Sequence, residues 1–183
     1  MLTKSLLAFA SLAISALACT PPPGSGFAKA APPTSLFIYN VGTGAITPST
    51  AALVDKSPVD GGQDRTTLMT FNDPSGGTSN NCLIFFDPRD PSLTATGSRK
   101  LDLFTSNSPA PPGGSPGWGP PGNQRNNQLV RWTVAPGSVS TDATYGSLTF
   151  ACNSLNNAGF EIVGVYDTDT VSYKTFGVCV AYN

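Results

Sequence analysis

The sequence predicts an all-β fold: an antiparallel β-sandwich of jelly-roll or immunoglobulin-like type, with about eight strands and one long Pro/Gly-rich loop. Three observations carry this reading. After residue 34, apolar and polar side chains alternate with a period of two; clusters of Gly, Pro, Asn and Asp interrupt the alternation at short intervals; and no window sustains a helical period. Short strands separated by frequent turns bury their apolar faces by packing as two sheets around one core.

The elements follow in chain order. Residues 1–18, MLTKSLLAFASLAISALA, place the basic Lys4 before an apolar run from Leu6 to Leu17, with a small-residue step at Ala16-Leu17-Ala18. This is the pattern of a secretory signal peptide, removed from the mature chain. The run is too short for a membrane span, and no later stretch approaches roughly 18 apolar residues. A competing reading takes Leu17-Ala18-Cys19 as a lipobox with a lipid on Cys19, but Ala16 stands where a bulky apolar residue is usual. Residues 19–34, CTPPPGSGFAKAAPPT, form an extended, mobile arm, because proline removes backbone donors and glycine adds chain entropy.

The sandwich domain spans residues 35–183. Strands are expected at 35–41, 66–72, 82–87, 99–104, 128–134, 146–152, 159–166, 170–176 and 177–182. The turns carry their own chemistry in Asn72-Asp73-Pro74-Ser75-Gly76-Gly77, Asp87-Pro88-Arg89-Asp90-Pro91, Pro136-Gly137 and Asp167-Thr168-Asp169. Between the strands at 99–104 and 128–134 lies Ser108 to Gln124, SPAPPGGSPGWGPPGNQ, much longer than the two to five residues of a hairpin loop. The C-terminal TFGVCVAYN lacks the apolar tail of a GPI signal.

Alternation assigns faces. Cys82, Ile84 and Phe86 share one row, and Leu148, Phe150 and Cys152 share another, so both cysteines point into the core. A Cys82–Cys152 bridge is the preferred pairing, closing a loop of about 70 residues for a few kcal/mol. Cys179 falls on the row opposite Val178, Val180 and Tyr182 and is expected nearer the surface, with Cys19 as its candidate partner. Four cysteines allow three connectivities, and the even count suits an oxidising compartment.

Composition narrows the chemistry. The chain contains no histidine, and Glu161 is its single glutamate. Serine and cysteine nucleophiles activated by histidine, histidine-ligated zinc and a histidine general base are all excluded. Glycoside hydrolysis needs two carboxyl groups across a sugar, for which Glu161 could pair with Asp102; the simpler reading makes Glu161 the outward residue of Phe160-Glu161-Ile162. Asp87/Asp90, Asp167/Asp169 and the triple Asp55, Asp60 and Asp64 offer calcium-type oxygens, yet none matches an EF-hand loop, and Asp is an ordinary turn residue. Gly61-Gly62 and Gly113-Gly114 open no helix and precede no Gly-Lys-Ser/Thr, so they are not phosphate cradles. No cofactor or metal is expected. Loss of Lys4 with the signal leaves nine basic and eleven acidic residues with no basic cluster, which argues against nucleic acid as a partner. No standard N-glycosylation acceptor occurs, whereas Ser and Thr beside the prolines suit O-linked sugars.

Asn80-Asn81-Cys82-Leu83-Ile84-Phe85, Thr133-Val134-Ala135-Pro136-Gly137, Leu148-Thr149-Phe150-Ala151-Cys152, Phe160-Glu161-Ile162 and Gly177-Val178-Cys179-Val180 together resemble the But-two C-terminal domain family, named after a ubiquitin-like-modifier-binding protein. The resemblance covers roughly Leu36 to Asn183. It implies a secreted fungal β-sandwich with a Cys82–Cys152 bridge and no catalytic residues to carry over. The chain departs from the family pattern at Asn153, where proline often follows the second cysteine, and in its insertion from Ser108 to Gln124. A signal peptide also removes it from cytosolic modifiers.

Two tryptophans divide by context. Trp132 alternates within a strand and is a core residue; Trp118, between two glycines, either folds back as a plug or stands out as a stacking platform for a sugar ring or a protein partner. The function expected first is a secreted, non-catalytic structural or adhesive protein of the cell surface or wall, with wall polysaccharide or another surface protein as partner and no membrane contact. A carbohydrate-binding or host-directed module using Trp118 comes second, and an enzyme built on Glu161 third.

Overall fold

The computed structural model describes residues 19–59, 61–117, 125–166 and 168–183. In chain order the strands are β1 (Lys29–Ala31), β2 (Ser35–Asn40), β3 (Ile46–Ser49), β4 (Ala52–Lys56), β5 (Arg65–Phe71), β6 (Asn81–Phe86), β7 (Thr94–Gly97), β8 (Lys100–Ser106), β9 (Arg125–Ala135), β10 (Ser138–Thr144), β11 (Thr149–Ala151), β12 (Ala158–Gly164), β13 (Asp169–Tyr173) and β14 (Val178–Tyr182). A single 3₁₀ turn, Cys152–Leu155, joins β11 to β12.

All strand pairings are antiparallel. The smaller sheet runs β1-β14-β6-β11, and the larger runs β10-β9-β8-β12-β5 before it divides. Beyond β5 one branch is the β2–β3 hairpin, paired with β5 from Ser35–Thr70 to Asn40–Arg65. The other leaves β5 at the single Asp55–Arg65 pair and continues through β4, β13 and β7. The result is a sandwich-like all-β fold with a curled large sheet.

The core lies between the sheets. Cys82, Ile84 and Phe86 of β6 and Val178 and Val180 of β14 meet Leu101, Leu103, Val130, Trp132, Val134, Phe160 and Ile162 from the larger sheet. Phe86 anchors the packing, with ring centroids 5.9 Å from Trp132 and 5.6 Å, edge to face, from Tyr173. Such aromatic pairs contribute about 0.5–1.5 kcal/mol beyond their area burial.

Five strands exceed those expected: β1, β3, β4, β7 and β10. Their sequences mask the period. ITPS of β3 contains Pro48 on an edge strand, where a missing donor is tolerated; SVSTDAT of β10 is almost wholly exposed and has no apolar row to reveal. Conversely, only Thr149–Ala151 of the expected strand 146–152 is extended.

The arm at residues 19–34 is extended but not free, which corrects the expectation of mobility. Cys19 is disulfide-bonded to Cys179, β1 pairs with β14, the Ala28 amide donates to the Tyr182 carbonyl at 3.3 Å, and the Thr34 amide donates to the Thr70 carbonyl at 2.8 Å. The same docking corrects Cys179, which is 0% exposed. Its row does face away from the main core, but the arm covers that face and builds a second apolar cluster of Cys19, Phe85, Phe176, Cys179 and Ala181, with Phe27 and Ala30 packed on it. Alternation identified the row correctly and could not show that something lay over it. The second bridge, Cys82–Cys152, ties β6 to the start of the 3₁₀ turn with Cα atoms 5.0 Å apart. With its sulfur bonded to Cys179, Cys19 has no thiol left for a lipid.

Candidate functional site

The chemistry-bearing side chains gather on the outer face of the larger sheet. In β8, Leu101 and Leu103 point into the core, so Lys100, Asp102 and Phe104 point outward; in β12 the inward pair Phe160 and Ile162 sends Glu161 outward, and in β9 the inward Val130, Trp132 and Val134 send Arg131 and Thr133 outward. Glu161 lies opposite Phe104 and Val163 lies opposite Asp102, so the two carboxylates are diagonal neighbours on adjacent strands. The pairing anticipated for a hydrolase therefore exists as a shared face.

Glu161 points outward, as its simpler sequence reading has it, yet it is 0% exposed. Oε1 accepts from Thr66 Oγ1 at 2.7 Å and from Arg125 Nη2 at 2.7 Å, and Oε2 accepts from Arg125 Nε at 2.9 Å. Thr66, Arg125 and the nearby Tyr39 surround it, and beside them the first half of the Pro/Gly-rich loop turns back over the sheet. Ala110 packs on a third apolar cluster of Phe37, Tyr39, Ile46 and Leu68, and Ser115 exchanges two 2.8 Å backbone hydrogen bonds with Ile46. Glycine admits the loop at two points: a Cβ on Gly159 would lie 2.8 Å from the Ser108 carbonyl oxygen, and one on Gly114, at φ +75°, would lie 2.2 Å from that of Ile46.

Arg125 re-enters the sheet at the start of β9 and stacks its guanidinium 5.0 Å from the Phe104 ring centroid. Burial works against its charge, and the hydrogen bonds and charge of Glu161 overcome that, holding its pKa above the ordinary arginine value. Burial first, then the charge of Glu161, pushes the nearby Tyr39 phenol up, against the pull of Arg125.

Asp102 is held in the same fork geometry, with Arg131 Nε to Oδ1 at 2.7 Å and Nη2 to Oδ2 at 2.8 Å. Lys100 pairs with Asp142 and donates to Thr133 Oγ1 at 3.1 Å. Opposite charges thus cancel pair by pair across the face. Two exposed tyrosines that sequence reading passed over stand at its margin: Tyr166, whose ring centroid lies 5.9 Å from the Arg131 guanidinium carbon, and Tyr145. Tyr166 closes the expected strand 159–166 and Tyr145 precedes the expected strand 146–152, so the sequence signal for both is an aromatic residue set against a turn.

The acidic turns are self-satisfied. Asp87 accepts from Arg89 and from the Thr20 amide at 3.1 Å; Asp90 accepts from Ser92 and from the Thr175 and Phe176 amides at 2.6 and 2.8 Å; Asp169 accepts from Ser98, Val165 and Arg99. Asp55 is paired with Arg65, and Asp64 accepts from the Ser57 amide. Asp60 and Asp167 lie outside the described residues, as do the signal segment 1–18 and Trp118. The chain on either side of Trp118 is anchored, by Ser115 on Ile46 and by Arg125 on Glu161. Asp73 lies near Cys82 and Cys152, whose sulfurs are bonded to each other and offer no thiolate to a metal. A cavity of about 490 Å³ opens where Pro21–Pro23 of the arm face Pro88 and Val139.

No family model matches this chain, and no curated protein matches it. The two disulfides fit an oxidising environment, and among the described residues no helix is long and apolar enough to cross a membrane.

Proposed function

We propose that the chain is a secreted, non-catalytic structural or adhesive protein of the fungal cell surface or wall. The observation that carries this reading is the state of its two outer-face carboxylates. Glu161 and Asp102 each have both oxygens taken by an arginine fork, an arrangement that braces a sheet and leaves neither group placed to deliver or remove a proton at a substrate. The disulfide-pinned arm and the signal-like N-terminus support secretion, and the resemblance to the But-two domain supports a fungal source.

The test is expression of the full chain in a yeast secretory host, followed by mass spectrometry of the N-terminus, thiol counting, and fractionation of medium, wall and cytosol. The expected product begins at Cys19, has all four cysteines oxidised, and partitions between wall and medium. A cytosolic chain that keeps residues 1–18 and reacts with thiol reagents would refute the proposal. A second reading, a carbohydrate-binding or host-directed module using the Trp118 loop, is favoured by one observation: the loop is rooted on both sides of Trp118, which limits the entropy it loses on binding. Replacement of Trp118 by Ala is then expected to lower retention on chitin or glucan without lowering the melting temperature.

A further inference from the structure

The margin of the outer face where Tyr166 meets Arg131 forms a second surface, built from described residues alone. Tyr166 is 59% exposed and sits at φ +69°, a left-handed conformation that side-chain-bearing residues other than Asn and Asp rarely adopt. An aromatic residue held in that conformation and left in solvent brings no core packing to offset the strain. Backbone strain of this kind concentrates at binding sites.

The strand order β10-β9-β8-β12 sets the rest of the surface. Tyr166 follows β12, on one side of Arg131 in β9; Tyr145, 54% exposed, follows β10 on the other side, where its amide donates to the Leu129 carbonyl at 2.8 Å. The Arg131 guanidinium lies 5.9 Å from the Tyr166 ring centroid, and β10, which leads into Tyr145, pairs with β9 at Ala143–Arg131. Two of the five N–H groups of Arg131 are engaged by Asp102, and among the described residues the others make no hydrogen bond. Asp102 is itself buried at 6% exposure and orients Arg131, so the open groups are the remaining Arg131 N–H donors, with Lys100, Thr133 and Asp142 continuing the polar row.

Charge selects the ligand class. Arg131 is cancelled by Asp102 and Lys100 by Asp142, so the surface presents donors, acceptors and flat rings with no net field. A phosphate or sulfate would meet a carboxylate beside each cation, and a cationic ligand would meet the reverse. A neutral pyranose suits both features, its C–H face stacking on a tyrosine and its hydroxyls accepting from the Arg131 N–H groups that Asp102 holds in place. We propose that Tyr166, Arg131, Asp102 and Tyr145 form a subsite for neutral polysaccharide. The proposal deepens the adhesive reading and rests on it only for the source of the sugar.

The test is isothermal titration of the secreted chain with gluco-, chito- and manno-hexaoses, with a sulfated oligosaccharide and a proline decamer as controls. The variants are Tyr166→Gly, Tyr166→Phe, Tyr145→Ala and Trp118→Ala. Tyr166→Gly removes the ring and relieves the left-handed strain together, so it is expected to keep or raise the melting temperature while weakening sugar binding about tenfold, the scale of one stacking contact. Tyr166→Phe and Trp118→Ala are expected to retain binding, and Tyr145→Ala to weaken it. Undiminished binding by Tyr166→Gly, loss of binding in Trp118→Ala alone, binding of only the sulfated sugar or the proline peptide, or no binding of any hexaose by the unaltered chain at millimolar concentration would each overturn the proposal. Such a failure would leave the wall-fractionation result intact, whereas a cytosolic chain that still binds hexaoses through Tyr166 would overturn the localisation and keep the subsite.

Discussion

Replacing Cys19 and Cys179 together by serine tests how much of the fold depends on the docked arm. The bond spans 160 residues, and the Cys82–Cys152 bond, spanning 70, lies nested within it. Loop-closure entropy assigns about 5 kcal/mol to an isolated 160-residue loop, but the inner bond shortens the effective loop to about 90 residues and the outer contribution to about 4.5 kcal/mol. By the same reasoning, removing Cys82 and Cys152 with the outer bond intact costs about 4 kcal/mol. The two variants are thus expected to lose nearly equal stability despite a more than twofold difference in span. Urea unfolding followed by fluorescence of the buried Trp132 measures both, and the denaturant slope is expected to rise in each variant because the unfolded chain expands. A loss below about 1 kcal/mol for Cys19→Ser/Cys179→Ser would refute the reasoning, since it would mean that β1 pairing and the contacts of Phe27 and Ala30 hold the arm without the bond.

Three further outcomes are expected. Arg125→Gln removes two charge-assisted bonds from the buried Glu161 and is expected to cost about 3 kcal/mol, partly restored when Glu161→Gln is added; urea unfolding of the double-mutant cycle reads the coupling. Burial alone would raise the Asp90 carboxyl, but bonds from Ser92, Phe176 and Thr175 outweigh it and hold the pKa below the ordinary value, so its stabilisation is present above about pH 4 and is lost as pH falls through the folded pKa. Asp169 is raised, by burial first, so its contribution runs the other way and is lost as pH rises from about 4 through its folded pKa; stability curves from pH 2 to 7 should therefore flatten in opposite senses for Asp90→Asn and Asp169→Asn. Gly159→Val places a side chain against Ser108 and Pro109 and is expected to cost about 1–3 kcal/mol and speed amide exchange at Ser115 and Ile46, with unchanged exchange showing that the loop is not seated there.

What was legible in the sequence depended on whether one element or several determined it. Alternation within β6 and around Phe150 placed Cys82 and Cys152 on inward rows because a strand's own pleat fixes that geometry. The burial of Cys179 and Glu161 escaped the same logic, because each is enclosed by residues distant in sequence: the arm in one case, Thr66, Arg125 and Tyr39 in the other. Covering segments rich in proline and glycine have no period of their own, so nothing in their composition says whether they dock. The arginine partners were equally hidden, since Arg125 and Arg131 lie 36 and 29 residues from their carboxylates and meet them only through strand order.

That strand order also explains why a diagonal carboxylate pair need not be a hydrolytic one. Glu161 and Asp102 occupy positions on β12 and β8 from which two acids could face one substrate, and such a pair works when one member holds a proton at neutral pH. Here β9 runs beside β8 and supplies an arginine to each, so both carboxylates are engaged in forks rather than turned toward a substrate. In both pairs the acid is the buried member, Glu161 at 0% and Asp102 at 6% exposure, and the arginine reaches solvent, with the Arg131 pair lying beside the exposed Tyr166. Both arginine–acid pairs therefore brace the sheet through a buried carboxylate, and the Arg131 pair, set beside an exposed tyrosine, keeps N–H donors for a ligand.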